Sequence, residues 1–194
     1  MAINTRRAGR RMRSRPLDFE TLTQVMRRLT LEAGDLIMEI YDAPDVAVRS
    51  KADDSPVTAA DEAADAHIAA GLRAAFPDVA LVTEEQTASH DLSAATFLIV
   101  DPLDGTKEFI HRRGDFTVNI ALILNGVRRV GIVHAPALGR SWIGGRADDA
   151  TRTAELHDSA KGTTAISARA IPAAGAIVVS SRRHGDPERT QTFP

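Results

Sequence analysis

The stretch "LIVDPLDGTKEF", residues 98–109, sets two aspartates three residues apart, Asp101 and Asp104, directly after an apolar run and directly before Gly105 and Thr106. A turn needs one acid and one glycine at most, so the second acid and the hydroxyl ask for a chemical reason. If "TFLIV" (96–100) is a strand and a helix or turn opens at Gly105, both acids lie at the strand's carboxyl end, where α/β proteins commonly hold ligands. Gly105 lets a ligand approach the backbone closely. The N–H groups of Gly105 and Thr106, at a helix start, would face an anion such as phosphate. A second acidic pair, Glu84-Glu85, ends the run "VALVT" (79–83). Adjacent strands would bring Glu84 beside Asp101. Carboxylates gathered in one place resist ionising together, and divalent cations relieve that repulsion. An all-oxygen set favours Mg²⁺, with Mn²⁺ as the alternative. Two such ions about 4 Å apart, sharing a carboxylate, suit hydrolysis of a phosphate ester.

The elements that must position these groups are readable from periodicity. Leu22, Val25, Met26, Leu29, Ala33, Ile37 and Ile40 recur at helical steps within 17–41. A second helix follows, with Thr58 and Asp61 as a capping pair, Ala64, Ile68, Leu72 and Phe76 on one face, and Pro77 closing it. "VALVT", "TFLIV", "FTVNIALIL" and "VRRVGIVHA" have strand character, and Asn125-Gly126 between the last two is a hairpin signal. "SWIGG" adds a further strand. Residues 150–175 are polar and rich in small residues and read mostly as loop, and "AIVVSS" reads as a last strand. Two helices followed by mainly antiparallel strands make a layered α/β arrangement, an α+β sandwich. His67, His90, His111, His134 and His157 lack ligand spacing and read as surface or core residues. Trp142 reads as core, and Lys107 with "HRR" (111–113) as a solvated face.

Bulk properties narrow the function classes. The 194 residues are 43% hydrophobic, carry a formal net charge of −2 and include no cysteine. Thiolate catalysis, disulfides and cysteine-ligated metals are therefore excluded. The charge gives no general reason to expect nucleic acid as a partner. No apolar run approaches the roughly 18 residues of a membrane span. The first fifteen residues hold six arginines and no acid. They lack the apolar core of a signal peptide, so residues 1–16 read as a disordered basic arm, with contact to an anionic surface or to nucleic acid as the alternative. The expected location is the cytoplasm, with peripheral association at the inner membrane as a variant.

The joint pattern resembles the inositol monophosphatase superfamily of Mg²⁺-dependent, lithium-sensitive phosphatases. "LVTEE" followed by "LIVDPLDGTKEFIHRRGDFTVNIALI" carries the resemblance, from about Leu29 to His184. "DGTKEF", "KADDSPVTAADEAAD" and "SSRRH" are most similar to its CysQ branch, the 3′(2′),5′-bisphosphate nucleotidases. The resemblance implies the N-terminal part of the sugar-phosphatase fold over 17–194. It implies metal ligation by Glu84, Asp101, the Leu103 carbonyl and Asp104, with Asp101 bridging two ions. Phosphate would meet the N–H groups of Gly105 and Thr106, and Thr106 with Asp61 would orient the attacking water. Glu85 would tune Glu84, and Lys51 would lie in a mobile loop near a third ion. Two or three Mg²⁺ ions are implied, with Li⁺ inhibitory.

The implied reaction converts 3′-phosphoadenosine 5′-phosphate to AMP and phosphate, with no phosphoenzyme. The alternatives are an inositol-phosphate, histidinol-phosphate or fructose-bisphosphate phosphatase of the same superfamily, or a metal- or nucleotide-binding protein without turnover. The family's Trp-Asp-x-Ala-Ala-Gly motif, which holds a further aspartate ligand, is not found; Trp142 is followed by Ile143. The last residues, "DPERTQTFP", begin like a helix at Asp186 and Pro187. The expectation is a domain truncated at its C-terminus, with impaired activity.

Overall fold

The structure, a computed structural model, describes residues 17–44, 48–50, 56–90, 93–146, 152–173 and 175. Helix α1 spans Phe19–Tyr41, and its N-terminus is capped by Asp18, which accepts from the Glu20 N–H at 3.1 Å. Strands β1 (Val48–Ser50) and β2 (Pro56–Thr58) form a short antiparallel ribbon. Helix α2 spans Ala59–Ala75 and opens on a capping box: Thr58 accepts from the helix backbone, and Asp61 accepts from the Thr58 N–H. Of the apolar stripes foreseen on the helices, Leu22, Met26, Leu29, Ala33 and Ile37 on α1 and Ala64, Ile68 and Leu72 on α2 are buried, while Val25, Ile40 and Phe76, the residue capping α2, are half-buried against them.

Seven strands follow as one sheet: β3 (Ala80–Thr83), β4 (Thr96–Asp104), β5 (Thr117–Leu124), β6 (Val127–Ala135), β7 (Arg140–Arg146), β8 (Arg152–Asp158) and β9 (Gly162–Ala165). A short helix, α3 (Thr106–Ile110), sits between β4 and β5. The strands lie in sequence order, with β3 and β4 parallel and every other pair antiparallel. The β5–β6 hairpin turns at Asn125 and Gly126, both at positive φ (51° and 74°), the conformation that a two-residue turn with matching strand twist demands. Helices α1 and α2 pack on one face of the sheet, against Leu98, Val100, Val118, Ile120, Leu122 and Ile132.

Three expectations need correction. The segment 150–175 holds more regular structure than expected: β8 and β9 lie within it, and irregular chain follows from residue 166. Apart from Ala154 and Leu156 the two strands carry polar or small residues, so no clear hydrophobic alternation announced them; β8 forms because β7 offers an open edge. The readable signal was the turn, where Asp158 accepts from the Ala160 and Lys161 N–H groups and Gly162 takes φ 85°. Trp142 is not in the core. Its strand register sets it opposite Val133, on the face away from the helices, while Ser141 and Ile143 face the core side. Third, β4 does not stop at Val100 but runs on to Asp104. The basic arm, the run "AIVVSS", the helix start at Asp186 and Lys51 lie outside the described residues.

His134 on β6 is a core residue with consequences for stability. Its Nδ1 lies 3.1 Å from the Arg140 carbonyl and 2.9 Å from Ser141 Oγ. A carbonyl can only accept, so Nδ1 carries the proton and Nε2 is bare. Gly34 of α1 lies against that bare edge: a Cβ there would stand 2.6 Å from Nε2. Gly34→Ala is therefore expected to destabilise the fold by about 1–3 kcal/mol, the range for overpacking, read as a lower urea midpoint with unchanged slope. Burial also holds the imidazole pKa below its ordinary 6.5, with His157 acting the same way and Asp35 in opposition. Below that ordinary value the unfolded chain takes a proton that the folded chain refuses, so stability falls as pH drops through the interval. Replacing His134 by Gln is expected to flatten that part of the stability–pH curve, measured by urea unfolding at successive pH values.

Candidate active site

The parallel pairing of β3 with β4 sets Thr83 beside Val100, and the Glu84 N–H continues the ladder to the Val100 carbonyl at 3.1 Å. Glu84 is thereby adjacent to Asp101. Asp104 reaches the same side by a different device. In a regular strand, residues three apart point to opposite faces. Here Asp101 pairs with Asn119 and Asp104 with Thr117, three residues on β4 against two on β5. The extra residue is a bulge, and it returns Asp104 to the face of Asp101, Asn119 and Thr117. Pro102 sits within the bulge, where a missing N–H costs no regular ladder bond.

The electrostatics follow from this crowding. The Asp101 pKa is pushed up to about 8, first by burial, then by the charges of Glu84 and Asp104, with a hydrogen bond to Glu84 adding to it. Asp101 Oδ1 is buried and has no hydrogen-bond partner. A carboxylate with a bare oxygen between two other acids is a site that a cation would stabilise, and its donors are all oxygen. The residues therefore fit a hard divalent ion such as Mg²⁺. The three acids do not close into a cage: among the described residues, no three His, Cys, Asp or Glu side chains are grouped tightly enough to hold an ion. Glu84 and Asp101 form the hydrogen-bonded pair, and Asp104 acts on them through charge.

The second cluster is built around Asp61, 1% exposed at the start of α2. Its Oδ2 accepts from the Thr58 N–H at 2.7 Å and the Thr58 hydroxyl at 2.6 Å, and its Oδ1 lies 3.1 Å from Thr106 Oγ1. All of these neighbours can donate, so the carboxylate acts as acceptor only. The Leu103 carbonyl is a competing acceptor for Thr106 at 3.2 Å; an ionised carboxylate is the stronger of the two. With its proton on Asp61, the Thr106 oxygen keeps lone pairs for another donor such as water. Capping and site-building are thus one arrangement.

Gly105 joins the two clusters. It takes φ 95°, and a Cβ there would meet the Asp115 carbonyl at 2.8 Å and Phe116 Cα at 3.2 Å. Phe116 packs with Phe109 and Tyr41, ring centroids 5.0–5.3 Å apart, so the floor under Gly105 is rigid. Helix α3 has only five residues, so its dipole is small, and only the N–H groups of its first turn are left to face an anion.

Sequence reasoning paired Thr58 with Asp61 only as a helix cap, and it missed Thr117 and Asn119 as the polar neighbours of Asp104 and Asp101. Thr117 donates to Asn119 Oδ1 at 3.2 Å. Two polar residues alternating in an otherwise apolar strand were the available signal. Arg112 is exposed but not idle: it lies 5.0 Å over the Tyr41 ring and donates to the Ala43 carbonyl.

The family model for the inositol monophosphatase family matches residues 18–192. The chain belongs to the inositol monophosphatase family. It is 47% identical over 126 residues to the 3′(2′),5′-bisphosphate nucleotidase CysQ of Escherichia coli strain K12, an alignment covering 59% of this chain and 51% of that protein. A histidinol-phosphatase from Chlorobaculum parvum is 38% identical over 119 residues, covering 61% of this chain and 46% of its own. Among solved structures, CysQ from Bacteroides thetaiotaomicron superposes with a TM-score of 0.66 at 30% identity, covering 89% of this chain and 66% of that one. The chain thus spans about half the length of the curated relatives it matches.

Gly105→Ala is expected to disturb this region more than an exposed substitution would. It adds backbone strain of about 1–3 kcal/mol to a contact with main chain that cannot swing away. Loss of the Thr106–Asp61 hydrogen bond, read from the Thr106 chemical shifts, should accompany a fall in stability.

Proposed function

We propose that the chain carries the metal-binding half of a phosphomonoesterase that removes the 3′-phosphate of 3′-phosphoadenosine 5′-phosphate, yielding AMP and phosphate. The observation that carries this reading is Asp101, half-buried between Glu84 and Asp104 with one buried oxygen unpartnered and its proton held to about pH 8. The 47% identity to a CysQ protein supports the substrate.

Glu84, Asp101, Asp104 and the Leu103 carbonyl would hold the ions. Mg²⁺, when bound, supplies positive charge that offsets charge on the attacking and leaving oxygens. Thr106, its hydroxyl proton on Asp61, takes a hydrogen bond from a water and aims it at phosphorus. The water oxygen bonds to phosphorus and loses a proton, the bond to the sugar 3′-oxygen breaks, that oxygen takes up a proton to become the 3′-hydroxyl of AMP, and no phosphoenzyme forms. The N–H groups of Gly105 and Thr106 would bind the phosphoryl oxygens, and Glu85 would tune Glu84. The setting implied is the cytoplasm of a sulfur-assimilating cell, where this nucleotide is a by-product of sulfate activation. Among the described residues, no helix is long and apolar enough to cross a membrane.

A second reading, a phosphatase for another phosphorylated metabolite, is favoured by the histidinol-phosphatase relative. A panel of 3′-phosphoadenosine 5′-phosphate, inositol phosphate and histidinol phosphate, assayed with Mg²⁺ for released phosphate, separates them. The nucleotide should be preferred; preference for either of the others would overturn the substrate, and no release from any would overturn turnover by this chain. In a protein that turns over, Asp61→Asn and Thr106→Ala should each lower kcat by about 10²–10⁴-fold, the range for positioned proton-handling groups, with KM changed less. Chelation should abolish release, and Mg²⁺ should restore it.

A further inference from the structure

We propose that Gln86 is a positioning residue that ties the Glu84 turn to helix α2, the helix that carries Asp61. This deepens the reading above and rests on it for the role of Glu84. The tie is a relay of two short hydrogen bonds. Gln86 Nε2 donates to Asp65 Oδ2 at 2.6 Å, and Gln86 Oε1 accepts from the Arg73 guanidinium at 2.6 Å. The amide orientation follows from chemistry. Arg73 can only donate and an ionised Asp65 can only accept, so oxygen must face one and nitrogen the other.

Asp65 stands one helical turn after Asp61 and is 5% exposed. Its Oδ1 has no partner, so the carboxylate depends on the Gln86 amide. A direct Arg73–Asp65 pair would stabilise α2 alone. Inserting the amide of a residue from the β3 end makes the same charges hold two elements together.

The turn needs such a tie because β3 ends at Thr83 and its ladder to β4 stops at the Glu84 N–H. Its backbone is also clamped. Thr83 N–H donates to Ser89 Oγ at 3.0 Å, and the Thr83 carbonyl accepts from the Gln86 N–H at 3.3 Å and lies 2.9 Å from His90 Nε2. These bonds fix the shape of the turn but not its position against α2. The Gln86 side chain supplies that, and it places the Glu84 side of the site at a set distance from the Asp61–Thr106 side.

The test compares the full chain with Gln86→Leu, Gln86→Glu and the double variant Gln86→Glu/Asp65→Asn. Amide hydrogen exchange at Glu84 is followed beside Leu72 of α2 as a control, together with Mn²⁺ binding by water-proton relaxation. Gln86→Glu sets a carboxylate against Asp65. Glu84 exchange should quicken about 10-fold or more while Leu72 stays protected, and Mn²⁺ affinity should fall by about 10–100-fold, the range for residues that orient ligands. Gln86→Leu should shift both in the same direction. In the double variant the amide introduced at position 65 donates to the carboxylate introduced at position 86, which still accepts from Arg73, so both readouts should recover. Unchanged Glu84 exchange in both single variants, equal loosening of Glu84 and Leu72, or a double variant as impaired as Gln86→Glu would each overturn the role. If the unaltered chain binds no Mn²⁺, the metal reading above is wrong, and the exchange comparison still decides whether Gln86 holds the turn.

Discussion

Asp101 carries a carboxyl group where burial and two neighbouring acids all oppose its charge. Folding alone does not resolve that conflict: one oxygen finds no donor among the described residues. A fold optimised only for stability would replace such a group, because a buried oxygen left without a hydrogen-bond partner costs about 1–3 kcal/mol. Its presence therefore makes sense through something that binds there. A hard cation is the ligand whose charge and preference for oxygen answer both the repulsion and the bare lone pairs.

The surrounding architecture serves to keep that conflict in place. Among the described residues the β3–β4 pair is the one parallel contact in the sheet, and it aligns the carboxyl ends of two strands so that Glu84 and Asp101 meet. The bulge at Pro102 turns Asp104 to the same side. Asp61 is fixed by three hydrogen bonds, from the Thr58 N–H and the Thr58 and Thr106 hydroxyls, on a helix whose apolar stripe locks into the core. Gly105, pressed on Phe116, sets where Thr106 begins. Acids that repel one another spread apart unless the backbone forbids it, and here strand pairing and aromatic packing forbid it.

Much of this was legible in the sequence because it is local. Helical stripes, the Thr58–Asp61 box and the Asn-Gly turn are patterns within a few residues, and they form where their spacing places them. Adjacency of Glu84 and Asp101 followed from two strand-like runs that both end in acids. What was not legible depended on pairing. The bulge exists only relative to β5, so a turn was the natural reading of residues 101–104. Strands β8 and β9 are mainly polar, and they owe their form to the free edge of β7. Trp142 looked like core because aromatic residues usually are; a shift of one residue along β7 decides its face. Gln86 gave no signal at all, since its partners, Asp65 and Arg73, are brought to it by the fold.

The central claim is that Asp101 holds its proton in the metal-free chain and gives it up to a cation. Carboxyl ¹³C chemical shifts measure this directly. Without metal, the Asp101 resonance should titrate near pH 8, and at neutral pH added Mg²⁺ should shift it to its ionised position. Titration near the ordinary aspartate value of about 3.9, with no response to Mg²⁺, would contradict the account.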